Sequence, residues 1–308
     1  MSVLIDSWRS IKKDSKKEEL DQFLSLIESE QIETELTDNS VSESENITNT
    51  KHYLLHGDIN SDLIKQSVES ISKIDLIFTS PPYNANINYD SYDDNKKTDD
   101  YLNFLKQSID SCDIFLKPGG RFVINIRDIK IEKGRLPIIS FLYPYFLSKG
   151  YFYRGLHIWY KGREESSFAW GTYKSSSNPS IIDLFEYVFV FQKSGIKEKG
   201  VDNISKHEFI ENVMGLWKIR PVKKINNKKV NILNHPCPFP VELAKRVIKL
   251  YSNVNDFVLD PFSGICNTSI ASYKTGRNSI STELSNSYCL SGLDNFKNQC
   301  NLEMNYKC

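Results

Sequence analysis

The chain has 308 residues, of which 40% are hydrophobic and 12% aromatic, enough to bury the core of one large α/β domain with an insertion, or of two domains. Its 39 basic residues balance 39 acidic ones, which excludes a protein whose whole surface is basic and binds nucleic acid. Any basic surface must therefore be local. The six cysteines form no CxxC pair and have no histidine at metal-ligand spacing, which favours free thiols and no metal site.

The first fifty residues differ in composition from the rest of the chain. Apolar residues recur at helical spacing in 16–35 on an acidic background, whereas 36–50 are rich in Ser, Asn and Thr. The polar start and the lack of a long apolar run exclude a signal peptide and a membrane helix. We therefore expect an acidic N-terminal helix, a linker or disordered stretch to residue 50, and a cytoplasmic protein that folds from about Lys51.

Strands and helices alternate from residue 51 to residue 192. The pattern predicts strand 52–55, helix 61–71, strand 75–78, helix 101–116, a turn at 117–120, strand 121–126, helix 138–149, and strands 151–159 and 185–191. Such alternation predicts an α/β fold with a mostly parallel twisted sheet and helices on both faces. The last two strands are expected to form an antiparallel hairpin at the end of the sheet.

Residues 193–232 interrupt this rhythm, because they are rich in Lys and Arg and poor in apolar residues. They predict either a local surface that contacts phosphates or an ordinary solvated loop. The regular pattern then returns with helix 240–251, strand 257–260, a glycine-containing turn, helix 268–274, strand 278–282 and a helix after Ser285.

An apolar strand runs directly into the segment Thr79-Ser80-Pro81-Pro82-Tyr83. Two successive prolines stiffen the backbone and remove two N–H donors, so that carbonyl oxygens point outward. The Ser80 oxygen and the Pro81 carbonyl are candidate acceptors for the hydrogens of a nucleobase amino group. Tyr83 offers a flat face for a base removed from the duplex. The alternative is a proline-stiffened loop with a solvent-facing tyrosine.

A second strand ends in Asp260-Pro261-Phe262-Ser263-Gly264 and leads through Cys266 into a helix. In an α/β sheet such a turn lies at the carboxyl end of the strand, where small ligands bind, and glycine lets a ligand approach the backbone. About 20 residues later, Glu283 stands where a carboxylate can bind ribose hydroxyls. The alternative is a glycine turn with a surface glutamate. A P-loop is disfavoured because no GK[ST] ending is present.

In this order, the motifs resemble those of S-adenosylmethionine-dependent DNA amino-methyltransferases whose catalytic loop precedes the cofactor loop, the β-class order. The Thr79–Tyr83 segment is similar to the catalytic motif in its serine form, which is associated with N4-cytosine methylation. Asp260–Gly264 is similar to the cofactor motif, and Glu283 to the ribose-binding acid. The resemblance extends over about 51–291.

The resemblance implies a Rossmann-like methyltransferase fold, S-adenosyl-L-methionine as cofactor, double-stranded DNA as substrate and association with a restriction endonuclease. It divides the chain into a catalytic half at 51–192, a basic target-recognition insertion at 193–232 and a cofactor-binding half at 233–308. The catalytic residues implied are Ser80, Pro81, Pro82 and Tyr83. The implied cofactor residues are Asp58, Thr79, His235, Pro236, Phe239, Asp260, Pro261, Phe262, Ser263, Gly264, Cys266, Asn267, Thr268 and Glu283. The DNA-binding candidates are Trp159, Lys218, Arg220, Lys223 and Lys224.

Several alternatives stay open at this point. The serine form of the loop does not strictly separate cytosine N4 from adenine N6. Cys266 stands where the family usually has a second glycine, which predicts reduced cofactor affinity or a slightly rearranged turn. The alternative is a DNA-binding protein that has lost cofactor binding and activity. Cys237 follows a proline, but the surrounding pattern of a carbon-5 cytosine methyltransferase is missing, so a structural or cofactor-lining thiol is the better interpretation. Methylation of RNA or protein is disfavoured because Ser80 replaces the Asn of an Asn-Pro-Pro-Tyr loop.

Overall fold

The structure is a computed structural model, which describes residues 50–132, 134–162, 176–177, 179, 181–222 and 235–307. The predicted N-terminal helix and its linker up to residue 49 lie outside the described residues. The same holds for Lys223 and Lys224, two of the candidates for DNA binding.

Eleven strands and seven helices follow one another in the described part of the chain. The strands are β1 His52–His56, β2 Ile74–Thr79, β3 Leu116–Ile126, β4 Ile129–Ile131, β5 Gly134–Leu136, β6 Tyr151–Tyr160, β7 Phe185–Lys193, β8 Leu216–Lys218, β9 Phe257–Asp260, β10 Asn278–Glu283 and β11 Asn305–Lys307. The helices are α1 Asp62–Ile71, α2 Thr98–Asp113, α3 Ile139–Ser148, α4 Lys206–Val213, α5 Val241–Tyr251, α6 Asn267–Lys274 and α7 Asn286–Cys300.

Nine of the strands form one sheet in the order β11-β1-β10-β9-β2-β3-β7-β6-β8. The run from β11 to β3 is parallel, whereas β7 is antiparallel to both β3 and β6. The predicted antiparallel hairpin is therefore confirmed as β6–β7. Strand β8 adds to it as a parallel edge strand, and β4 and β5 pair separately.

The central strands β9, β2 and β3 carry apolar side chains on both faces of the sheet. Along β3, Phe122 and Ile124 belong to a core cluster with α2 and α3, whereas Val123 belongs to a second cluster with α5. Successive side chains of a strand point to opposite faces of the sheet, so helices must cover both. The predicted Rossmann-like fold of a mostly parallel sheet with helices on both faces is confirmed.

The turn predicted at 117–120 is wrong, because these residues belong to β3, which begins at Leu116. Helix α2 accordingly ends at Asp113, three residues before its predicted end. The pairing of β2 with β3 shifts register between Ile74 and Leu76, and this irregularity accommodates Pro118 and the two glycines within the strand. The proline and glycines favour a turn locally, but pairing with β2 keeps these residues in the strand.

The described part of the basic segment is folded rather than an open loop. Helix α4 begins with a capping box between Ser205 and Glu208. Glu208 also accepts a hydrogen bond from Lys249 of α5, at 2.5 Å. Strand β8 buries Trp217 completely, and its indole stacks on His157 of β6 at a centroid distance of 4.1 Å. Residues 205–218 are therefore packed onto the sheet and α5.

No helix in the described ranges is long and apolar enough to span a membrane. No disulfide joins the five cysteines that the structure describes. Among all described residues, no group of three or more His, Cys, Asp or Glu side chains could hold a metal ion.

Candidate active site

The two turns identified in the sequence open into one cavity. Strands β2 and β9 are parallel neighbours, with Leu76 opposite Val258 and Ile77 opposite Leu259. Their carboxyl ends therefore lie at the same edge of the sheet, where α/β proteins bind ligands. A cavity of about 470 Å³ at this edge is lined by both turns, including Ser80, Pro81, Pro82, Tyr83, Pro261, Phe262, Ser263 and Gly264.

Asp260 lies beneath the cavity and connects the two turns. Its side chain is fully buried and accepts hydrogen bonds from the hydroxyls of Thr79 (2.9 Å) and Thr268 (2.6 Å), and from the Phe262 N–H (3.2 Å). Burial raises its pKa to about 6, although these hydrogen bonds oppose the shift. Asp260, Thr79 and Thr268 were predicted to contact the cofactor. The structure instead places them below the lining of the cavity, where they fix the turns relative to each other.

Glu283 lines the cavity from the end of β10, and its contact with the ribose of the cofactor stays a prediction. Its carboxylate accepts hydrogen bonds from the Gly264 N–H (2.8 Å) and the Ser285 N–H (2.9 Å). Burial is the main reason that its pKa rises to about 6. The carboxylate is thus held in place by backbone donors on both sides.

Gly264 has a backbone conformation that other residues rarely adopt, with φ of +51°. A Cβ atom at this position would lie 2.9 Å from Nε2 of His235. The imidazole of His235 packs edge-on against Tyr288 and tilted against Tyr89, at centroid distances of 4.7 and 5.8 Å. Burial lowers the pKa of His235 to about 4, so the ring is neutral at physiological pH.

The side chain of Cys266 points away from the cavity, contrary to the expectation that it lies beside the cofactor. Its backbone is left-handed, with φ of 63°, and the residue is completely buried. The Sγ atom lies 2.7 Å from the position that a Cβ on Gly292 of α7 would occupy. The missing glycine of the turn is therefore compensated by a glycine in the neighbouring helix.

The segment 235–239 covers one side of the cavity. His235, Cys237 and Phe239 line it, as do Asp58 and Asn267, whereas Pro236 does not. The side-chain amide of Asn267 donates to the Phe239 carbonyl at 2.6 Å, which ties this segment to α6. Cys237 is exposed on the cavity, which agrees with its interpretation as a lining thiol.

The loop 84–97 covers the cavity from the other side and was not recognised in the sequence. It folds around the buried Asp94, whose carboxylate accepts from the backbone N–H groups of Asn84 (2.8 Å), Ala85 (3.0 Å) and Ile87 (3.0 Å). The loop contributes Tyr89 and Tyr92 to the lining. The hydroxyl of Tyr92 is buried and has no hydrogen-bond partner among the described residues.

Two polar residues behind the catalytic loop were also missed. Asn125 of β3 and Glu186 of β7 are 0% and 5% exposed, and both contact the hydroxyl of Tyr83. The available signal was a polar residue inside each of two apolar strands. A buried carboxylate requires partners, so such a residue indicates an internal network.

The DNA-binding candidates differ in their placement. Trp159 is 3% exposed and packs in the core, where its indole N–H donates to the Ile219 carbonyl at 2.8 Å, so its assignment as a DNA contact is wrong. Lys218 and Arg220 are exposed at and just beyond the carboxyl end of β8. Because β8 is parallel to β6, and β6 runs in the direction of β2, both lie at the edge of the sheet that holds the cavity.

A mostly parallel sheet with an antiparallel hairpin, and two turns on neighbouring strands that line one cavity, are features of the Rossmann-like methyltransferase fold. Residues 74–293 match the model of a family described as DNA methylase, which contains N6 and N4 methyltransferases. The chain belongs to this family: it is a DNA methyltransferase, and its cofactor is S-adenosyl-L-methionine.

Individual relatives agree with this membership. The chain is 35% identical over 179 residues to the type II methyltransferase M.MjaVI of Methanocaldococcus jannaschii, covering 58% of this chain and 90% of the relative. It is 28% identical over 255 residues to the DNA adenine methyltransferase YhdJ of Escherichia coli, covering 78% and 81%. A DNA modification methylase from Thermus thermophilus, solved with S-adenosyl-L-methionine, shares the fold with a TM-score of 0.63 at 23% identity, over 83% of this chain and 100% of that one.

The cavity fits this cofactor. Phe239, Phe262 and Ile265 supply apolar surface, Glu283 supplies a carboxylate, and the unpaired hydroxyl of Tyr92 is available for a further polar contact. A ligand that combines an aromatic base, ribose hydroxyls and a charged chain needs such a mixed lining.

Proposed function

We propose that this methyltransferase acts on a specific site in double-stranded DNA and methylates the exocyclic N4 of a cytosine that is flipped out of the duplex. The observation that carries the proposal is that the Ser80 loop and the Gly264 turn line one cavity from neighbouring parallel strands. A methyl donor on one turn can therefore reach an amino group held by the other.

The residues of the cavity have separate roles in this proposal. Glu283 binds the ribose hydroxyls of the cofactor, and Phe239 and Phe262 contact its apolar parts. The Pro82 carbonyl already accepts a hydrogen bond from Tyr101 at 2.5 Å, which leaves the Ser80 oxygen and the Pro81 carbonyl to hold the amino group. The ring of Tyr83 supports the flipped base.

The chemistry requires no covalent adduct with the base. The bound cofactor supplies an electrophilic methyl group, and the protein must only make the amino nitrogen available. Acceptors at two positions hold both amino hydrogens away from the plane of the ring, so that the nitrogen lone pair is released from conjugation. Positioning of two reactants in this way is itself a large source of rate enhancement.

DNA is positioned by cations at the same edge of the sheet. Lys218 and Arg220 are exposed there and can contact phosphates on either side of the flipped base. M.MjaVI is a type II methyltransferase, which supports a role in a restriction-modification system with a cognate endonuclease in the cytoplasm.

Adenine N6 is the second candidate target, because YhdJ is a DNA adenine methyltransferase and matches this chain over most of its length. The same two acceptors would hold an adenine amino group. The larger base would occupy more of the cavity beside Tyr83.

The target is identified by nucleoside analysis of plasmid DNA that was methylated with labelled S-adenosyl-L-methionine. We expect label in N4-methylcytosine. Label in N6-methyladenine alone would establish the second candidate, and label at cytosine carbon-5 would contradict both. Sequencing of the same DNA at single-base resolution gives the recognition site.

A calorimetric titration with S-adenosyl-L-methionine tests the assignment of the cavity as the cofactor site. We expect saturable binding with one site per chain. Absence of binding would contradict this assignment.

A further inference from the structure

Behind the catalytic loop, four polar side chains form a continuous chain of hydrogen bonds. The Ser80 Oγ lies 2.6 Å from the Tyr83 hydroxyl, which lies 2.8 Å from Oε2 of Glu186. The other carboxylate oxygen of Glu186 accepts a hydrogen bond from Lys161 at 2.5 Å. Ser80 and Tyr83 line the cavity, whereas Glu186 is nearly inaccessible to solvent.

The direction of these hydrogen bonds follows from the number of protons. A carboxylate that is paired with a lysine only accepts, so Tyr83 donates its single hydroxyl proton to Glu186. Tyr83 also has a more distant acceptor, the Asn125 carbonyl at 3.3 Å. Since Tyr83 cannot donate twice, Ser80 must be the donor to Tyr83.

Asn125 reinforces this direction. Its side-chain N–H groups lie 2.6 Å from Glu186 Oε2 and 2.8 Å from the Tyr83 hydroxyl, but 3.3 Å from Ser80 Oγ. Two protons are satisfied by the two nearer acceptors. The Ser80 oxygen is therefore left with lone pairs at the wall of the cavity, where they can accept a hydrogen from the target amino group.

We propose that Glu186 is the terminal proton acceptor of the methyl transfer and is reached through Ser80 and Tyr83. As the amino nitrogen forms its bond to the methyl carbon, the carbon–sulfur bond of the donor breaks with its electron pair on sulfur. The amino group loses one proton to Ser80 Oγ, Ser80 passes its own proton to Tyr83, and Tyr83 passes its own to Glu186. The positive charge of the sulfonium and the negative charge of Glu186 are both neutralised.

The charges around Glu186 suit this role. Lys161 faces it from the end of β6, and the Arg127 guanidinium lies 5.8 Å from the centroid of the Tyr83 ring. Among the described residues, Tyr89 of the covering loop is a further titratable group that interacts with Glu186. Burial and the neighbouring Glu186 both raise the pKa of Tyr83 well above its ordinary value. Tyr83 therefore keeps its proton until one arrives from Ser80.

The inference rests on the proposed methylation of an amino group, but it applies to cytosine and adenine alike. Glu186 touches neither substrate nor cofactor, so it is a positioning residue that acts through Tyr83. The experiment measures single-turnover methylation of plasmid DNA that the wild-type protein methylates, with DNA and cofactor saturating. If the wild type transfers no methyl group to any DNA amine, the proposed function has failed, whereas the relay is judged only against an active wild type.

Two variants interrupt the relay at different points. Tyr83→Phe keeps the ring and removes the hydroxyl, and Glu186→Gln keeps the shape and an acceptor but removes the base. We expect each to lower the single-turnover rate about 100-fold, as is typical for loss of general base catalysis, with affinities for DNA and S-adenosyl-L-methionine within about twofold of wild type. The double variant should be no slower than either single variant, because both remove the same path.

The dependence of the rate on a buffer base separates this role from a structural one. In the wild type the proton passes to Glu186, so the single-turnover rate should not change with the concentration of a buffer base at constant pH. In Glu186→Gln the proton must leave to solvent, so the rate should rise with the concentration of the buffer base. Tyr187→Phe is the matched control, since Tyr187 is the next residue of β7 and lies outside the network, and we expect a wild-type rate and no dependence on the buffer base.

A measurement without cofactor checks the hydrogen bond itself. Tyrosine labelled with ¹³C at Cζ gives a Tyr83 resonance that Tyr83→Phe identifies. It should shift in Glu186→Gln, while the Tyr187 resonance stays in place. A wild-type rate in Tyr83→Phe or Glu186→Gln would overturn the relay, as would an equal loss of rate and DNA affinity or an unshifted Tyr83 resonance.

Discussion

The two turns of the active site lie side by side but are held in different ways. The catalytic loop after β2 is stiffened by two prolines, and its polar atoms are fixed by residues from other strands, Asn125 and Glu186. The cofactor turn after β9 relies on glycine, and its carboxylates are held by nearby backbone donors and threonines. The catalytic loop is thus held by side chains from the strands behind it, whereas the cofactor turn is held by Asp260 at its start and by Glu283 of the neighbouring strand β10.

This difference indicates how substitutions in each turn should change the methylation rate and the cofactor affinity. A change in the catalytic loop leaves the cofactor turn intact, so it should lower the rate without lowering cofactor affinity. A change in the cofactor turn should lower cofactor affinity first. Asp260 bonds to Thr79 on one side and Thr268 on the other, and it is the direct connection through which the two could influence each other.

The largest effect is expected for Ser80→Ala. Loss of the acceptor for the amino group should lower the single-turnover methylation rate by about 10²–10³, the range found when one preorganised polar group is removed from an active site. Cofactor affinity, measured by calorimetry, should stay within about twofold. Ser70→Ala, on the exposed face of α1, is the control with a wild-type rate. A parallel fall in rate and cofactor affinity in Ser80→Ala would contradict the separation of the two turns.

Gly264→Val is the corresponding change in the cofactor turn. A side chain there collides with His235, 2.9 Å from the added Cβ, in a backbone conformation that disfavours valine. The free turn should rearrange to relieve a strain of about 2–3 kcal/mol, and restoring its geometry on binding should reduce the affinity for S-adenosyl-L-methionine by about 30–150-fold. Gly155→Val, where a Cβ meets nothing within 4 Å although φ is also positive, controls for backbone strain alone. Equal loss of affinity in both variants would exclude the collision as the cause.

An intermediate effect is expected from pH. Glu283 must be ionised to bind ribose hydroxyls, and its pKa is raised to about 6, so cofactor affinity should be constant above pH 7 and fall as pH drops through 6. At pH 5 the affinity should be lower by about tenfold, since one pH unit below the pKa leaves about a tenth ionised. His235, with a pKa of about 4, stays neutral in this range.

Glu283→Gln should bind weakly at all pH values and lose most of this dependence. Any dependence that remains belongs to Asp260, whose pKa is also about 6. Glu303 is an exposed partner of Lys297, and Glu303→Gln should show the wild-type pH dependence of cofactor affinity. An unchanged pH profile in Glu283→Gln would show that Glu283 is not the group that titrates.

The smallest effect is expected for Cys266→Gly. Glycine relieves a left-handed backbone by about 1 kcal/mol, while loss of the buried thiol costs a similar amount, so the free energy of unfolding should change by less than about 1 kcal/mol. Cofactor affinity should change by less than about twofold, because the thiol points toward α7. A large gain in affinity would show that Cys266 does restrict the cofactor.

Gly292→Ala sharpens this test. Its Cβ would lie 2.7 Å from Cys266 Sγ, so the substitution should destabilise the protein by about 1–3 kcal/mol in denaturant unfolding. In the Cys266→Gly background the same substitution should be tolerated. Additive effects of the two changes would mean that the thiol and Gly292 do not share this space.

Much of the site was predictable because it depends on local sequence. The Ser80 loop and the Gly264 turn each follow an apolar strand, and strand order in the chain was enough to place both at the carboxyl ends. The network behind the loop was not predictable, because Asn125 and Glu186 lie 61 residues apart and meet only where β3 pairs with β7. Trp159 was misassigned for the same reason, since it is buried where β6 pairs with β8, a strand of the basic segment.

The sequence by itself determined the alternation of strands and helices, the position of both turns and the family, since periodicity, prolines and glycines act over a few residues. Only the tertiary structure decided which polar groups face the cavity and which lie beneath it. Asp260 and Glu283 each stand at the end of a strand, yet one joins the turns and the other lines the site. Burial and pairing with distant strands decide that difference, and neither can be predicted from a few neighbouring residues.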